Sequence, residues 1–282
     1  MKKSVCAVYF PGVISLLKLL PATDFDLILT DAPDVKINDE AVEIIEGEGI
    51  IWQRREYVAK MSPDYFIDES SDAYGNVSAF MKLLATIRYG ERVVELKRKT
   101  NETNISIKLD LDGTEASQID TGIGFFDHML AQLSQHGGLS LEVIAAGDLN
   151  VDEHHTVVDV GILLGEAFYK VIGSKMGIAR YGFTLPMDEC QSEAVIDFGG
   201  RSELVWNVVF NRERIGDMPT EMFKHFFKSF ATSAKCSLHI SSIGENEHHK
   251  IEGVFKAFAR AVKAAVKRDV TEYKLPTTKG IL

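Results

Sequence analysis

The chain has 282 residues, of which 45% are hydrophobic, and its formal net charge is −10. This length allows one large domain or two modest ones, each with its own core. The negative charge argues against a nucleic-acid-binding surface. The three cysteines, Cys6, Cys190 and Cys236, show neither metal nor disulfide spacing, which favours a reducing cytoplasm.

Residues 1–88 are predicted to form a small α/β segment. Strands are expected at Lys3–Phe10, Phe25–Thr30 and Tyr65–Ile67, and helices at Val13–Leu20 and Ala79–Ile87. The start resembles a signal peptide, but Pro11 and Lys18 interrupt its apolar run, so a buried strand and helix are favoured. No apolar run approaches the ~20 residues that cross a membrane.

No chemical motif marks this first segment. It has no glycine-rich phosphate loop and no histidine. Its acidic residues are interpreted as a solvated surface: Asp31, Asp34, Asp39 and Glu40. The sequence assigns the segment no function.

From Arg92 onward, short strands and amphipathic helices follow one plan twice, in about 92–180 and 181–270. The first copy predicts strands Val93–Leu96, Ile105–Leu111 and Ser140–Ala145, a helix from Phe126 and a helix after the histidine pair at 154. The second predicts strands Arg180–Phe183, Cys190–Phe198, Glu203–Phe210 and Ser237–Ser241, a helix Glu221–Ser233 and a helix after the pair at 248. The sequence therefore predicts a tandem duplication.

Two histidine pairs begin equivalent helices in this duplication, in DEHHTVVDVGILLGEAF and EHHKIEGVFKAFARA. Adjacent residues on a helix diverge by about 100°, so the two histidines of a pair cannot easily grip one ion. Glu252 shares a face with His248, four residues before it, and an imidazole with a carboxylate suits a borderline metal ion. The first copy carries Val158 at this position, and Asp159 points in too different a direction to replace the carboxylate fully.

All eight histidines lie between positions 128 and 249, which favours metal binding over packing. His225 is the counterpart of His128, since each lies on the helix before the histidine-pair helix. His239 has no counterpart and is expected to have a packing role. Glu102 is expected in a polar strand.

The motifs RKTNET, GFFDHMLAQLSQHGG, GDLNVDEHHTVVDVGILLG, GIARYG, MDE, DFGGR, NEHHKIEGVFKAFARA and PTTKGIL resemble the imidazoleglycerol-phosphate dehydratase family, manganese enzymes of histidine biosynthesis. The resemblance runs from about Arg92 to Leu282, so 89–282 is expected to be a dehydratase-like domain. Residues 1–88 lie outside it and lack the Asp-x-Asp motif of the phosphatase that is sometimes fused to this enzyme.

The resemblance implies an internally duplicated α/β sandwich of the ribosomal-protein-S5-domain-2-like type. It implies trimers that assemble into a 24-subunit shell with active sites between subunits. The net charge and the lack of a long apolar run predict no nucleic-acid and no membrane partner. The implied reaction is the dehydration of D-erythro-imidazoleglycerol phosphate to imidazole-acetol phosphate with two Mn²⁺ ions per active site. This reaction must remove a proton from carbon. A C–H group is a very weak acid, and metal ions would assist by stabilising negative charge on the ring.

The resemblance also carries over residue roles. One metal site would use His154, His225, His248 and Glu252; the other would use His128, His155 and His249, with a glutamate expected at position 158. Glu102 matches the proposed base, and Asp188 and Glu189 would support the ring or the ligands. The phosphate would be bound by Arg180, Arg201, Lys256, Thr277 and Lys279, with Gln132 and His136 nearby. Thr277 and Gly199 stand where serine is usual in the family.

Two other classes of protein remain open at this point. Val158 favours a non-catalytic relative that binds metal as a scaffold, whereas the terminal TTKG and the arginines favour an enzyme with a phosphate site. A dinuclear metal hydrolase is the third possibility.

Overall fold

The structure is a computed structural model that describes residues 2–10, 12–20, 24–30, 32, 39–61, 63–269 and 274–281, with the backbone alone at 39, 40, 44, 56, 59, 60 and 182–186. It contains two compact units, and the chain passes from the first to the second between Gly90 and Glu91. The predicted boundary lay two residues earlier. None of the described helices is both long enough and apolar enough to span a membrane.

The first unit is a parallel sheet with helices. Its elements are β1 (Lys3–Val8), α1 (Val13–Leu17), β2 (Phe25–Thr30), α2 (Asp39–Gly47), β3 (Ile51–Trp52), α3 (Arg55–Met61), β4 (Tyr65–Ile67) and α4 (Val77–Tyr89). The strand order is β3-β2-β1-β4, and all described pairings are parallel. Val5 and Leu29 of the sheet and Phe80 and Leu84 of α4 are buried in one core.

The predicted strands and helices of this unit are present, but α2, α3 and β3 were not predicted. Ile45 of α2 is buried, so the acidic stretch contains a packed helix as well as charge. Of the acidic residues predicted at the surface, Asp31 and Asp34 lie outside the described residues, and Asp39 and Glu40 are described by backbone only.

The second unit contains the two predicted copies. The first copy consists of β5 (Val93–Lys99), β6 (Thr103–Asp110), β7 (Gln118–Asp120), α5 (Gly124–Gly137), β8 (Ser140–Gly147) and α6 (His154–Ile172). The second consists of β9 (Tyr181–Met187), β10 (Cys190–Asp197), β11 (Glu203–Val208), β12 (Arg214–Ile215), β13 (Met218–Pro219), α7 (Glu221–Ser233), β14 (Ser237–Ile243) and α8 (Glu247–Ala265).

Both sheets have the same topology, which confirms the internally duplicated α/β fold. The orders are β5-β6-β8-β7 and β9-β10-β14-β11. In each sheet the third strand of the copy, β7 or β11, pairs in parallel, whereas the other pairings are antiparallel. Helices α5 and α7 are therefore equivalent, as are α6 and α8, and the short hairpin β12–β13 occurs in the second copy only.

The helices pack closely enough to bring distant histidines together. Strand β6 alternates buried and more exposed residues, and Ile105, Ile107 and Leu109 enter the core, as a half-buried strand requires. A Cβ atom at Gly161 or Gly165 of α6 would lie 2.9 or 2.5 Å from a backbone carbonyl oxygen of α7. These glycines let α6 approach α7, and the contact places His154 beside His225.

Candidate metal and phosphate sites

A polar side chain two residues before each histidine pair bonds to the backbone at the start of the helix. In α8 this residue, Asn246, is the N-cap, whereas the N-cap of α6 is Glu153, whose side chain makes no capping bond. Asp152 accepts a hydrogen bond from the backbone N–H of His154 at 2.9 Å, and Asn246 accepts one from that of His248 at 2.9 Å. A side-chain acceptor at this place satisfies the free N–H groups of the first turn. The repeat therefore fixes the start of each helix and presents its histidines at equivalent positions.

One complete donor cluster is formed by His128 of α5 and His248 and Glu252 of α8. Their ligand atoms all lie within 4.8 Å of one another. Glu252 Oε2 lies 3.2 Å from His248 Nε2, and Oε1 lies 2.7 Å from Lys256 Nζ. Burial opposes ionisation of Glu252, but Lys256 and the two imidazoles outweigh it and lower the pKa of this carboxyl. The cluster thus combines two imidazoles with a carboxylate.

Phe125 supports this cluster through aromatic contacts. Its ring centroid lies 5.2 Å from that of His248 and 6.3 Å from that of His128, edge to face in both cases. Asp217 of the second copy accepts hydrogen bonds from the N–H groups of Gly124 and Phe125, at 2.9 and 3.1 Å. Neither side chain could be identified from the sequence, because only the packing of the two copies brings them here.

At the equivalent place between α6 and α7, the described side chains bring together two imidazoles and no third donor that would complete a cluster. The rings of His154 and His225 have centroids 5.2 Å apart. Val158, partly buried, occupies the position equivalent to Glu252. Asp159 is buried and accepts hydrogen bonds from Arg98 Nε at 2.9 Å and Thr103 Oγ1 at 2.6 Å. Its carboxylate is therefore engaged away from the histidine pair.

The second histidine of each pair is bound to acidic residues of its own copy. His155 Nδ1 lies 3.1 Å from both oxygens of Asp148 and 3.8 Å from Glu102, and the hydrogen bond with Asp148 raises the pKa of this imidazole. His249 Nδ1 lies 2.9 Å from Glu189, and that hydrogen bond raises its pKa. The same contact is the main cause that lowers the pKa of Glu189 to about 2. Sequence reasoning missed Asp148.

Within the single chain, His128 lies with His248 and Glu252. The grouping implied by the resemblance draws ligands from neighbouring chains, so it stays a prediction. Asp188 and Glu189 occupy the turn between β9 and β10, where Asp188 has a φ of +48° and Glu189 contacts His249. Glu102 lies in the bend between β5 and β6, so its expected place in a strand is wrong. His239 is exposed on β14, so the packing role expected for it is also wrong.

Four of the predicted phosphate ligands line one cavity of about 710 Å³: Arg180, Arg201, Thr277 and Lys279. Lys274, which sequence reasoning missed, lines it too. The Arg180 guanidinium pairs with the Asp197 carboxylate through two of its nitrogens, and its third donates to the Pro276 carbonyl at 2.9 Å. Arg201 and Lys279 are exposed. Lys274 is exposed as well. The cavity is therefore cationic, and its exposed cations can meet an anion.

Gly199 keeps space beside the Arg180 guanidinium. A Cβ atom at this position would lie 2.7 Å from Arg180 Nη2 and 2.9 Å from Asp197 Oδ2. The glycine therefore lets the arginine and the aspartate lie against the backbone.

The other three predicted phosphate ligands lie elsewhere. Lys256 pairs with Glu252 of the metal cluster. His136 is half-buried, and burial, with Lys256 and Arg260, lowers its pKa. Gln132 lines a separate cavity of about 640 Å³ next to α5. The single chain thus brings together part of the predicted phosphate set and not all of it.

The fold and the site define a duplicated α/β protein with candidate metal centres at the starts of two equivalent helices and a cationic cavity. A family model described as imidazoleglycerol-phosphate dehydratase matches residues 121–262. The chain belongs to this family.

Named relatives and solved structures agree with that membership. The chain is 56% identical over 193 residues to the histidine biosynthesis bifunctional protein HisB of Bacteroides fragilis, and the match covers 68% of this chain and 52% of that protein. It is 53% identical over 194 residues to the imidazoleglycerol-phosphate dehydratase of Gluconobacter oxydans, and the match covers 68% of this chain and 98% of that protein. The imidazoleglycerol-phosphate dehydratase structure from Staphylococcus aureus is 36% identical and has a TM-score of 0.58. That match covers 63% of this chain and 99% of the other. The chain spans about half the length of the bifunctional relatives that it matches.

Proposed function

We propose that this protein is a hydro-lyase of histidine biosynthesis that dehydrates D-erythro-imidazoleglycerol phosphate to imidazole-acetol phosphate. The observation that carries the proposal is the convergence of His128, His248 and Glu252 in a chain of the dehydratase family. Two imidazoles and a carboxylate are a donor set for a divalent metal ion, and a substrate imidazole is a further nitrogen ligand that such an ion can accept.

The proposed metal is Mn²⁺, with two ions in each active site. His128, His248 and Glu252 would hold one ion, and their spacing within 4.8 Å fits this role. His154 and His225 would hold the other, and Val158 offers it no donor atom. Bound ions would favour the deprotonated substrate ring, whose electrons help to expel hydroxide.

Glu102 is the proposed base. In the product, the ketone occupies the carbon next to the phosphate-bearing carbon, so hydroxide leaves the carbon attached to the ring and the proton leaves the middle carbon. Glu102 would take this proton. The expelled hydroxide gains a proton to become water, and the enol that remains converts to the ketone. A half-exposed carboxylate, with 51% of its side chain accessible, can reach a substrate.

The cationic cavity is the proposed phosphate site. Arg201 and Lys279 supply charge, and the Thr277 hydroxyl supplies a hydrogen-bond donor. Asp197 would act on Arg180 by fixing its orientation. Phosphate binding at the end of the substrate opposite the ring would orient the substrate for proton removal.

The proposed assembly is a 24-subunit shell built from trimers, with active sites shared between chains. His155 and His249 lie with acids of their own copies and not in the cluster of their own chain, which supports a role as ligands for a neighbouring chain. The three buried free cysteines, Cys6, Cys190 and Cys236, support a reducing cytoplasm.

Turnover of imidazoleglycerol phosphate by the manganese-loaded protein tests the proposed function. We expect product in the unaltered protein and a loss of at least a hundredfold in kcat for Glu102→Gln, since general-base catalysis contributes about 10²–10⁴-fold. Glu95→Gln, an exposed glutamate on the preceding strand, is the matched control and should leave kcat unchanged. Metal binding without turnover in the unaltered protein would favour the scaffold.

A further inference from the structure

The bend that carries Glu102 is held by a local hydrogen-bond network. Thr100 Oγ1 accepts from the backbone N–H groups of Glu102 at 3.1 Å and of Thr103 at 2.9 Å. The Glu102 carbonyl accepts from the N–H of Asp148 at 3.0 Å. The backbone of Glu102 is therefore fixed on both sides of its side chain.

This network continues into helix α6 and ends on a buried charge. Thr103 Oγ1 donates to Asp159 at 2.6 Å, and the hydroxyls of Thr100 and Thr103 lie 3.1 Å apart. Thr103 has one hydroxyl proton, and it is used for Asp159, so Thr100 must donate to Thr103. The Thr100 oxygen then keeps its lone pairs for the two N–H groups. In this series of hydrogen bonds, each donor from the Glu102 N–H onward is therefore directed toward the carboxylate of Asp159.

The network leaves the carboxylate of Glu102 free. Among the described residues no hydrogen bond reaches its oxygens, and its nearest charged partner is His155 at 3.8 Å. Glu189, in the equivalent turn of the second copy, is bound through its carboxylate to His249 Nδ1 at 2.9 Å and to the N–H of Asn246 at 3.0 Å. A fixed backbone with an unbound carboxylate is what a proton acceptor needs, and only the first copy provides it.

The second copy also shows that the fold does not require the buried carboxylate. Gly253 of α8 occupies the position equivalent to Asp159, and a Cβ atom there would lie 2.6 Å from Ser192 Oγ. The equivalent strand and helix pack directly in that copy. Asp159, with Arg98 as its ionic partner, is thus particular to the copy that carries Glu102.

We propose that Asp159 is a positioning residue that acts through Thr103 and Thr100 to hold Glu102 in place for proton removal. The proposal rests on the proposed function, because it assigns Glu102 as the base. It also accounts for the failure of Asp159 to supply the carboxylate missing at position 158.

Substitution of Thr103 tests the proposal, because valine removes the hydroxyl at nearly constant shape. We expect Thr103→Val to lower kcat ten- to a hundredfold, in line with the effect of a small misplacement of a catalytic group. KM and bound manganese should stay unchanged. Thr103→Ser, which keeps the hydroxyl, should restore most of kcat. Amide hydrogen exchange at Glu102 in the metal-free protein should be faster in the valine variant.

The controls separate this proposal from the proposed function. Thr86→Val removes a hydroxyl that donates to the Lys82 carbonyl in the first unit and should leave kcat unchanged. Thr100→Val interrupts the same network at a partly exposed residue. If Thr103→Val does not fold, the kcat of Thr100→Val tests the proposal in its place. If the valine variant that folds keeps full kcat, or if Thr103→Ser is as impaired as Thr103→Val, the positioning role is overturned and the proposed function is not affected. No turnover in the unaltered protein refutes the proposed function and the role of Asp159 with it.

Discussion

Restoring a carboxylate at position 158 is predicted to equalise the two metal centres. Glu252 shows what the first copy lacks, since it lies 3.2 Å from His248 and its side chain is 13% accessible. A carboxylate and a divalent ion about 4 Å apart attract by about 2 kcal/mol even at the dielectric constant of water, which is twice the value for two unit charges. This energy corresponds to about 30-fold in affinity.

The surroundings of position 158 favour the new ligand. Glu252 shares its charge with Lys256 at 2.7 Å, four residues along the helix. The equivalent residue in the first copy is Ile162, so a glutamate at 158 has no lysine to compete with the metal ion. We therefore expect Val158→Glu to tighten the weaker manganese site by about 30-fold or more and to raise turnover at low manganese.

Calorimetric titration of the metal-free protein with Mn²⁺ measures this effect. The unaltered protein should show one tight and one weak ion per chain, and Val158→Glu two tight ions. Glu252→Val is the matched change in the other copy and should abolish the tight ion. If Val158→Glu leaves manganese affinity, manganese count and turnover untouched, the account of the second centre is refuted.

Three further predictions concern assembly, the first unit and the phosphate cavity. Chelation should break a large particle into trimers, because ligands shared between chains add binding free energy to association; an unchanged particle in sedimentation contradicts this. A protein that begins at Tyr89 should fold and bind manganese, since the metal clusters and the cationic cavity lie in the second unit; insoluble or metal-free protein contradicts it. Arg201→Ala should raise KM at least tenfold with little change in kcat, because it removes an exposed cation from the cavity; an unchanged KM places the phosphate elsewhere.

Local patterns in the sequence were enough to predict the duplication and many of its elements. The helix predicted at Glu221–Ser233 has those bounds in the structure, and the strands at Phe25–Thr30 and Tyr65–Ile67 do too. The helix has an apolar periodicity, and the two strands are short apolar runs between polar residues, so local information determines these segments. Helices α2 and α3 were missed because charged residues mask their apolar positions.

Which histidines lie side by side within one chain could not be predicted from local patterns in the sequence. The 100° divergence of adjacent helical residues shows that His248 and His249 point apart, but not which helix each one faces. The packing of α5 against α8 and of α6 against α7 decides this, and Gly161 and Gly165 contribute to the second contact. The role of Asp159 was equally hidden, because its partners Arg98 and Thr103 belong to strands distant in sequence.

The most direct test of the central claim is a manganese titration of the unaltered protein in which bound ions and turnover of imidazoleglycerol phosphate are measured on the same samples. The account predicts little turnover when only the His128, His248 and Glu252 centre is filled, and full turnover when the weaker His154 and His225 centre fills. Both centres filled without release of imidazole-acetol phosphate would contradict it.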